Sequence, residues 1–146
     1  MATAKPRQTD IQIELEIRAT YPSQPGRLAH ILKVLRESGG PLRAHLVYRL
    51  YEQSAAFFLC ERPSEAALAL QQEGVEVETE TVVTVRTGNR PGLLSHLIQT
   101  LEAERIDVGY SYATAEGDEA MFVFRTGNNP QAEDVLRSYL LTAEGV

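Results

Sequence analysis

Apolar and polar residues alternate near the start of the chain and then change to a helical spacing. From residue 11 to residue 19 the odd positions are apolar and the even positions are polar, the period-2 pattern of a strand with one wet face. Between residues 28 and 35 apolar residues recur every three or four positions, with charged residues on the other side. The Gly-Gly-Pro sequence at residues 39–41 then ends this predicted helix.

The same kind of pattern predicts the later elements. Residues 42–51 and 55–60 indicate a hairpin around residues 52–54, residues 63–73 a helix that ends at Gly74, and residues 75–77 the opening of a fourth strand. The second half predicts a strand at 82–86, a helix at 91–104, strands at 106–115 and 120–125, and a helix at 130–141. Both halves therefore follow the order strand, helix, strand, strand, helix.

The two halves also share a sequence motif at a constant separation of 66 residues. Residues 24–31 read Gln-Pro-Gly-Arg-Leu-Ala-His-Ile, and residues 90–97 read Arg-Pro-Gly-Leu-Leu-Ser-His-Leu. Proline, glycine, leucine and histidine recur in register, which indicates an internal repeat. The sequence thus predicts a polar N-terminal tail at residues 1–10, a first module at residues 11–79 and a second module at residues 80–146.

The second module nearly stops after its last predicted helix. Residues 142–146 are too few for a full fourth strand, so one sheet edge is expected to be either open or covered by something else. No turn signal separates Val75 from Arg86, so the two modules are expected to join directly, strand to strand.

Composition narrows the class of protein. The chain has 146 residues, of which 43% are hydrophobic, enough for a packed core, and no apolar run approaches the roughly 18 residues that cross a bilayer. The N-terminus lacks a hydrophobic signal segment, so a soluble cytoplasmic protein without membrane contact is expected. A net charge of −6 disfavours direct binding to nucleic acid. The single Cys60 lies in an apolar run and is expected to be a buried small hydrophobe.

The turn between the first strand and the first helix of each module is the most informative local feature. Ser23 and Asn89 occupy matching positions and are helix N-cap types, and proline is tolerated in a first helical turn. The following glycine lets a backbone or a ligand approach a helix N-terminus, whose free amides can hold a carboxylate. These residues could simply make a sharp corner, but the repetition, with a polar Gln24 or Arg90 beside each proline, favours a function.

A family resemblance follows from these motifs. The pattern polar-x-Pro-Gly-x-Leu, an amphipathic helix, and then Glu-Arg-Ile-Asp-Val-Gly-Tyr-Ser-Tyr-Ala at residues 104–113 resembles the signature of ACT domains. Two such motifs within about 140 residues are similar to stand-alone tandem ACT proteins, and the likeness covers residues 11–141.

The resemblance implies an α+β fold of two tandem ferredoxin-like βαββαβ modules. Their sheets would be antiparallel with helices on one face, and the last strand of the second module would be missing or very short. It also implies a non-catalytic regulatory protein without a cofactor. A free amino acid or similar small carboxylate would bind at the strand–helix turn, at an inter-module or inter-subunit interface. A homodimer is expected, and a regulated enzyme or regulator is a possible partner.

Carried over residue by residue, the resemblance gives a set of ligand-binding positions. They are Ser23, Gln24, Pro25, Gly26, Arg27 and Leu28 in the first copy, and Asn89, Arg90, Pro91, Gly92, Leu93, Leu94 and Tyr110 in the second. The acidic or Asn residue that the family has before x-Pro-Gly is kept as Asn89 but is Ser23 in the first copy. Residues 40–43 also lack the Ile-Asp-Val pattern found at residues 106–108, so the second copy is the favoured site.

Other interpretations stay open. His30 and His96 are repeat-related, but each falls on the polar side of its helix and is expected to be a solvated surface residue rather than a metal ligand. The glutamates at positions 76, 78 and 80 indicate the wet face of a strand, and no nucleophile with a base is present, which disfavours an enzyme. An assembly subunit that binds no ligand is the alternative function, because an unpaired sheet edge can accept another chain.

Overall fold

The computed structural model describes residues 9–144, with no side-chain detail beyond residue 142. Its strands are β1 (Asp10–Pro22), β2 (Leu42–Leu50), β3 (Gln53–Cys60), β4 (Glu76–Gly88), β5 (Val108–Glu116) and β6 (Glu119–Thr126). Its helices are α1 (Arg27–Gly39), α2 (Pro63–Gln72), α3 (Leu93–Ala103) and α4 (Asn129–Glu144). The element order confirms the predicted order of strands and helices in both halves.

Three features of the strand and helix boundaries depend on turn chemistry. β4 is one uninterrupted strand of 13 residues, which the absence of a turn signal between residues 75 and 86 predicted. α3 begins at Leu93 rather than at the predicted residue 91, because the preceding Pro-Gly pair forms a separate turn. α1 ends at Gly39 as predicted, and Gly40 follows with a φ of 78°, outside the helical region.

The chain divides into two compact units. Among the described residues, the first unit is Leu15–Glu80 and the second consists of residues 9–14 and 81–144. In the first unit the strand order is β2-β3-β1-β4, and in the second it is β1-β4-β6-β5. The strand pairs β1–β3, β2–β3, β4–β6 and β5–β6 are antiparallel. The sequence-based module boundary between residues 79 and 80 remains a proposal.

The second unit has no strand after α4 within the described residues, and the first half of β1 takes that place. Ile11 is 5% exposed and belongs to the hydrophobic core of the second unit. The carbonyl oxygen of Ile11 accepts a hydrogen bond from Arg137 Nη2 of α4 at 3.2 Å. The hydroxyls of Thr9 and Thr87 lie 2.8 Å apart. The sequence predicted that one sheet edge is either open or covered. In the structure residues 10–14 cover it.

The two cores use equivalent residues, 66 positions apart. Burial of such apolar side chains stabilises a fold by about 1.5–3 kcal/mol each. The pairs with at most 2% exposure are Ile17 and Val83, Ala19 and Val85, Ile31 and Leu97, Leu35 and Leu101, Phe58 and Phe124, and Leu70 and Leu136. Strand register repeats as well, because Tyr21 pairs with Ser54 and Thr87 pairs with Ala120. The sequence repeat is thus also a structural repeat.

None of the helices within residues 9–144 combines the length and the apolar character needed to cross a bilayer.

Cys60 is 6% exposed, as the sequence predicted, and burial raises the pKa of its thiol above the ordinary value.

Candidate functional site

Each strand–helix corner is anchored on the hairpin of its own unit. We call residues 23–28 the first corner and residues 89–94 the second corner. The amide of Ser23 donates to the carbonyl of Glu52 at 2.8 Å, and the amide of Asn89 donates to the carbonyl of Asp118 at 2.7 Å. Both acceptors lie at or beside the turn of the following hairpin, between β2 and β3 or between β5 and β6. The corners therefore have the same backbone support in both units.

The Pro-Gly pair in each corner forms a tight turn before the helix begins. In the first corner the amide of Arg27 donates to the carbonyl of Gln24 at 3.2 Å, and Gly26 has a φ of 89°. In the second, the amide of Leu93 donates to the carbonyl of Arg90 at 3.2 Å, and the glycine has a φ of 80°. Proline followed by a residue with positive φ is the signature of a type II turn, and this conformation requires glycine.

The prediction that Ser23 and Asn89 are helix N-caps is wrong. The caps are Gly26 and Gly92, and neither helix start has a side-chain cap hydrogen bond. The reason is the intervening turn, which places the two polar residues three positions before the caps. The Ser23 hydroxyl lies instead 2.5 Å from the hydroxyl of Ser54 on β3. The corner glycines also serve backbone conformation rather than close packing, because nothing lies within 4 Å of a Cβ built on Gly26.

Within the described residues 9–144, two amides at each helix start have no protein acceptor. In α1 the amide of His30 donates to the carbonyl of Gly26 at 3.0 Å, and in α3 the amide of His96 makes the equivalent bond. Over residues 9–144 no backbone or side-chain acceptor is found for the amides of residues 28 and 29, or of residues 94 and 95. Free amides and the helix dipole give a helix start about half a positive charge. Both corners therefore offer donors to solvent or to an anion.

A cavity lies beside the first corner, wholly within the first unit. Its volume is about 290 Å³, near the lower end of the range of roughly 300–1,000 Å³ for small-molecule sites. The lining residues come from the end of β1, from α1, from the start of β3 and from the turn between α2 and β4. They are Thr20, Tyr21, Pro22, Arg27, His30, Ile31, Gln53, Gly74, Val75 and Glu76. Of the site residues predicted from the sequence, Arg27 lies on this cavity.

Charged groups of both signs surround the cavity. Arg27 lies in the first turn of α1, and Glu76 is the first residue of β4. His30 Nε2 lies 3.6 Å from an Oε atom of Glu73, and about half of each side chain is exposed. Solvent-exposed pairs of this kind contribute at most about 1 kcal/mol to stability. The contact between His30 and Glu73 matters for its position. It joins α1 to the residue just before Gly74, which lines the cavity.

Tyr21 forms a buried part of the cavity wall. Its side chain is 6% exposed and belongs to the core of the first unit. Burial raises the pKa of the Tyr21 hydroxyl, and a side-chain hydrogen bond with Ser54 partly offsets that effect. The phenol therefore stays neutral at physiological pH, and the wall it forms is uncharged.

The second corner differs in the side chains that it presents. Leu93 stands where Arg27 stands in the first copy, and it is 2% exposed within the core of the second unit. Arg90 Nη2 donates to the hydroxyl of Tyr139 at 3.4 Å, and Leu94 is 41% exposed. A smaller cavity of about 180 Å³ in the second unit is lined by Arg86, Thr114, Glu116, Glu119, Ala120 and Met121. None of the predicted positions lines it.

Tyr110, predicted as a ligand contact, lies on β5 and lines neither of these two cavities. The guanidinium of Arg125 lies 5.9 Å from the centroid of its ring. This geometry is a cation–π contact within the sheet, of the kind worth about 0.5–1 kcal/mol at exposed sites. The role of Tyr110 in ligand binding stays a prediction.

Several cavity residues could not be found from the sequence. Gln53 and residues 74–76 lie far from the corner along the chain, and only the fold brings them beside it. Gly74 gave a signal as a helix stop, but nothing local marked Glu76 as different from the other glutamates of its strand. Across residues 9–144 no three His, Cys, Asp or Glu side chains gather as metal ligands would.

The comparisons with known proteins agree with this architecture. The family model of an ACT domain pair matches residues 14–142. No curated protein sequence matches the chain significantly.

Several solved structures share the fold. Protein BT0572 of Bacteroides thetaiotaomicron is 23% identical, with a TM-score of 0.80 over 88% of this chain and 90% of that chain. The ligand-free regulatory subunit of aspartate kinase from Thermus thermophilus is 15% identical, with a TM-score of 0.66 over 89% and 95%. The corresponding subunit from Thermus flavus is 14% identical, with a TM-score of 0.64 over 88% and 91%. Because the family model covers both structural repeats, the chain belongs to the family of ACT domain pairs.

Proposed function

We propose that this protein is a non-catalytic regulatory module that binds a free amino acid or a similar small carboxylate beside the first corner. The observation that carries the proposal is the cavity of about 290 Å³ next to the start of α1. A helix start and an arginine side chain are both suited to an anion, and at the first corner they occur together.

The chemistry of a carboxylate fits this place. Arginine presents a planar fork of donors that matches a carboxylate, and hydrogen bonds to charged groups are worth about 1.5–3 kcal/mol. Arg27 is exposed in the free protein, so its guanidinium can reorient towards a ligand without breaking an internal ion pair. The apolar side chains of Ile31 and Val75 supply the contact surface for the rest of a small molecule.

The second corner is the other candidate site, and the sequence favours it. It has the family-like Asn89 and a polar Arg90, but a buried Leu93 replaces the arginine at the helix start. The described cavity beside the first corner is the larger of the two and is lined by Arg27, so we propose that the effector binds there. A site at residues 89–94 stays a prediction.

A regulatory role also accords with the kind of protein that shares this fold. Two of the similar structures are regulatory subunits of aspartate kinases. We infer that the present chain likewise acts on a partner, either an enzyme or a regulator, and that it works as a homodimer in the cytoplasm. Effector binding would stiffen the corner and the α2–β4 turn around the cavity, and this change would be passed to the partner.

The test is a thermal-shift screen of the twenty amino acids at millimolar concentration, followed by calorimetric titration of each hit. A ligand at 100 times its Kd stabilises the protein by about 2.7 kcal/mol, which gives a measurable rise in Tm. We expect Arg27→Leu to abolish the response and Arg90→Leu to leave it unchanged. The reverse outcome would move the site to the second corner, and a screen without any hit would refute effector binding.

The second candidate function is assembly without a ligand. β2 is an edge strand of the first unit. Its last residue, Leu50, is 63% exposed, and the following Tyr51 is 87% exposed. An exposed apolar edge can pair with a strand of another chain. A screen without hits, combined with a stable dimer in sedimentation experiments, would favour this function.

A further inference from the structure

The cavity beside the first corner is lined by two opposite charges that do not pair with each other. Arg27 and Glu76 both line it, yet the structure shows no ion pair between them within 4.0 Å. Over residues 9–144 neither side chain has another ion-pair or hydrogen-bond partner. The neighbouring His30 and Glu73 do meet, at 3.6 Å. The cavity therefore keeps one positive and one negative group available at separate positions.

This arrangement distinguishes between classes of small anion. A plain carboxylate satisfies Arg27 but adds a second negative charge near Glu76, and like charges across a small site cost affinity. A molecule that carries both a carboxylate and an ammonium group satisfies both residues. The remaining polar side chains on the wall are His30, which meets Glu73, and Thr20, Tyr21 and Gln53, and none of them supplies a carboxylate as the partner of a cation.

The internal repeat offers a comparison for Arg27. Sixty-six positions after Arg27 stands Leu93, which is uncharged and buried in the core of the second unit. The residues that build the common scaffold, such as Gly26 and Gly92 or Leu35 and Leu101, are kept in both copies. The arginine is thus not part of the common scaffold, which favours a role for Arg27 in a site of the first copy rather than in folding.

We infer that Glu76 is a specificity-determining residue of the cavity, which makes a ligand's ammonium group a requirement for tight binding. The inference rests on the proposed function, because it assumes that a carboxylate is held at Arg27. It predicts that the protein distinguishes an amino acid from the 2-hydroxy acid with the same side chain. The hydroxyl of such an analogue has nearly the size of the ammonium group but carries no positive charge.

The experiment compares Glu76→Gln with Glu78→Gln by calorimetric titration. Glu78 is exposed, lies two residues further along β4 and does not line the cavity, so it controls for the loss of one negative charge. The probes are each L-amino acid that raises the Tm and its 2-hydroxy analogue, for example L-alanine and L-lactate.

We expect the unmodified protein to bind the amino acid at least about tenfold more tightly than the analogue, a difference of about 1.4 kcal/mol. Glu76→Gln should weaken amino-acid binding by about tenfold or more and leave the analogue unchanged or slightly tighter, whereas Glu78→Gln should change neither. Equal binding of both probes by the unmodified protein, or equal effects of the two variants, would overturn the role of Glu76 while leaving carboxylate binding intact. Failure of every probe to bind would overturn both proposals.

Discussion

At the scale of single residues, the corner glycines are constrained by their backbone conformation. Gly26 and Gly92 have φ values of 89° and 80°, a region that costs other residues about 1–2 kcal/mol. We predict that Gly26→Ala and Gly92→Ala each lower the free energy of unfolding in urea by about that amount. Gly88→Ala is the control, because Gly88 has an ordinary φ and only one atom within 4 Å of a built Cβ, at 3.8 Å, and it should change stability by no more than about 0.5 kcal/mol. Equal effects at all three positions would contradict this explanation of the turn geometry that the two copies share.

Residue types alone identified the corners but not how their atoms are used. Serine and asparagine are good helix caps in general, and Ser23 and Asn89 stand close to a helix start. The type II turn consumes the next residues, so the helix begins at residue 27 or 93 instead. Glu76 also could not be identified from residue type. Glu76 and Glu78 are both exposed glutamates of β4, and only the path of the chain through the α2–β4 turn puts Glu76 on the cavity.

At the scale of elements, the second unit depends on a strand from the other end of the chain. Ile11 is 5% exposed in its core, whereas Ile13, two residues along the same strand, is 38% exposed. We predict that Ile11→Ala lowers the free energy of unfolding by about 2–5 kcal/mol, the range for a buried large-to-small change. Ile13→Ala should cost about 1 kcal/mol or less. Urea denaturation checks both values, and a larger loss at Ile13 would mean that residues 10–14 do not complete this unit as described.

Elements with a strong local pattern could be predicted, and contacts distant in sequence could not. The alternation in β1, the helical spacing in α1 and the missing turn within β4 each follow from local periodicity. The same alternation made Glu16 a wet-face residue, but it is 2% exposed, which local periodicity cannot foresee. Within residues 9–144 no strand follows α4, and nothing in the sequence of residues 10–14 marked them as the strand that takes this place.

At the scale of the whole molecule, the repeat preserves the scaffold while the two copies differ in chemistry. Core positions, strand register, turn type and hairpin anchors recur at a separation of 66 residues. The side chains at the helix starts do not, since Arg27 corresponds to Leu93. Two copies of a module can have different functions only if the same backbone forms with different side chains at the helix start. The matching corners indicate that this backbone forms with both Arg27 and Leu93.

The division of two strands between units bears on how the chain unfolds. β1 and β4 are neighbours in the strand order, and each contributes one part to the first unit and one part to the second. If one unit unfolded alone, both strands would have to break their pairing near the middle and leave backbone groups unpaired there. We therefore expect a single cooperative transition, in which the calorimetric and van't Hoff enthalpies agree.

Two equivalent core variants test this expectation. Leu35→Ala lies in the first unit and Leu101→Ala in the second, at matching positions with 2% and 0% exposure. Each should cost about 2–5 kcal/mol and lower the Tm of the one transition without splitting it. If the units were independent, each variant would instead move only its own transition and leave the other at its original temperature. Differential scanning calorimetry separates these outcomes, and a split transition in either variant would show that the shared strands do not couple the two units.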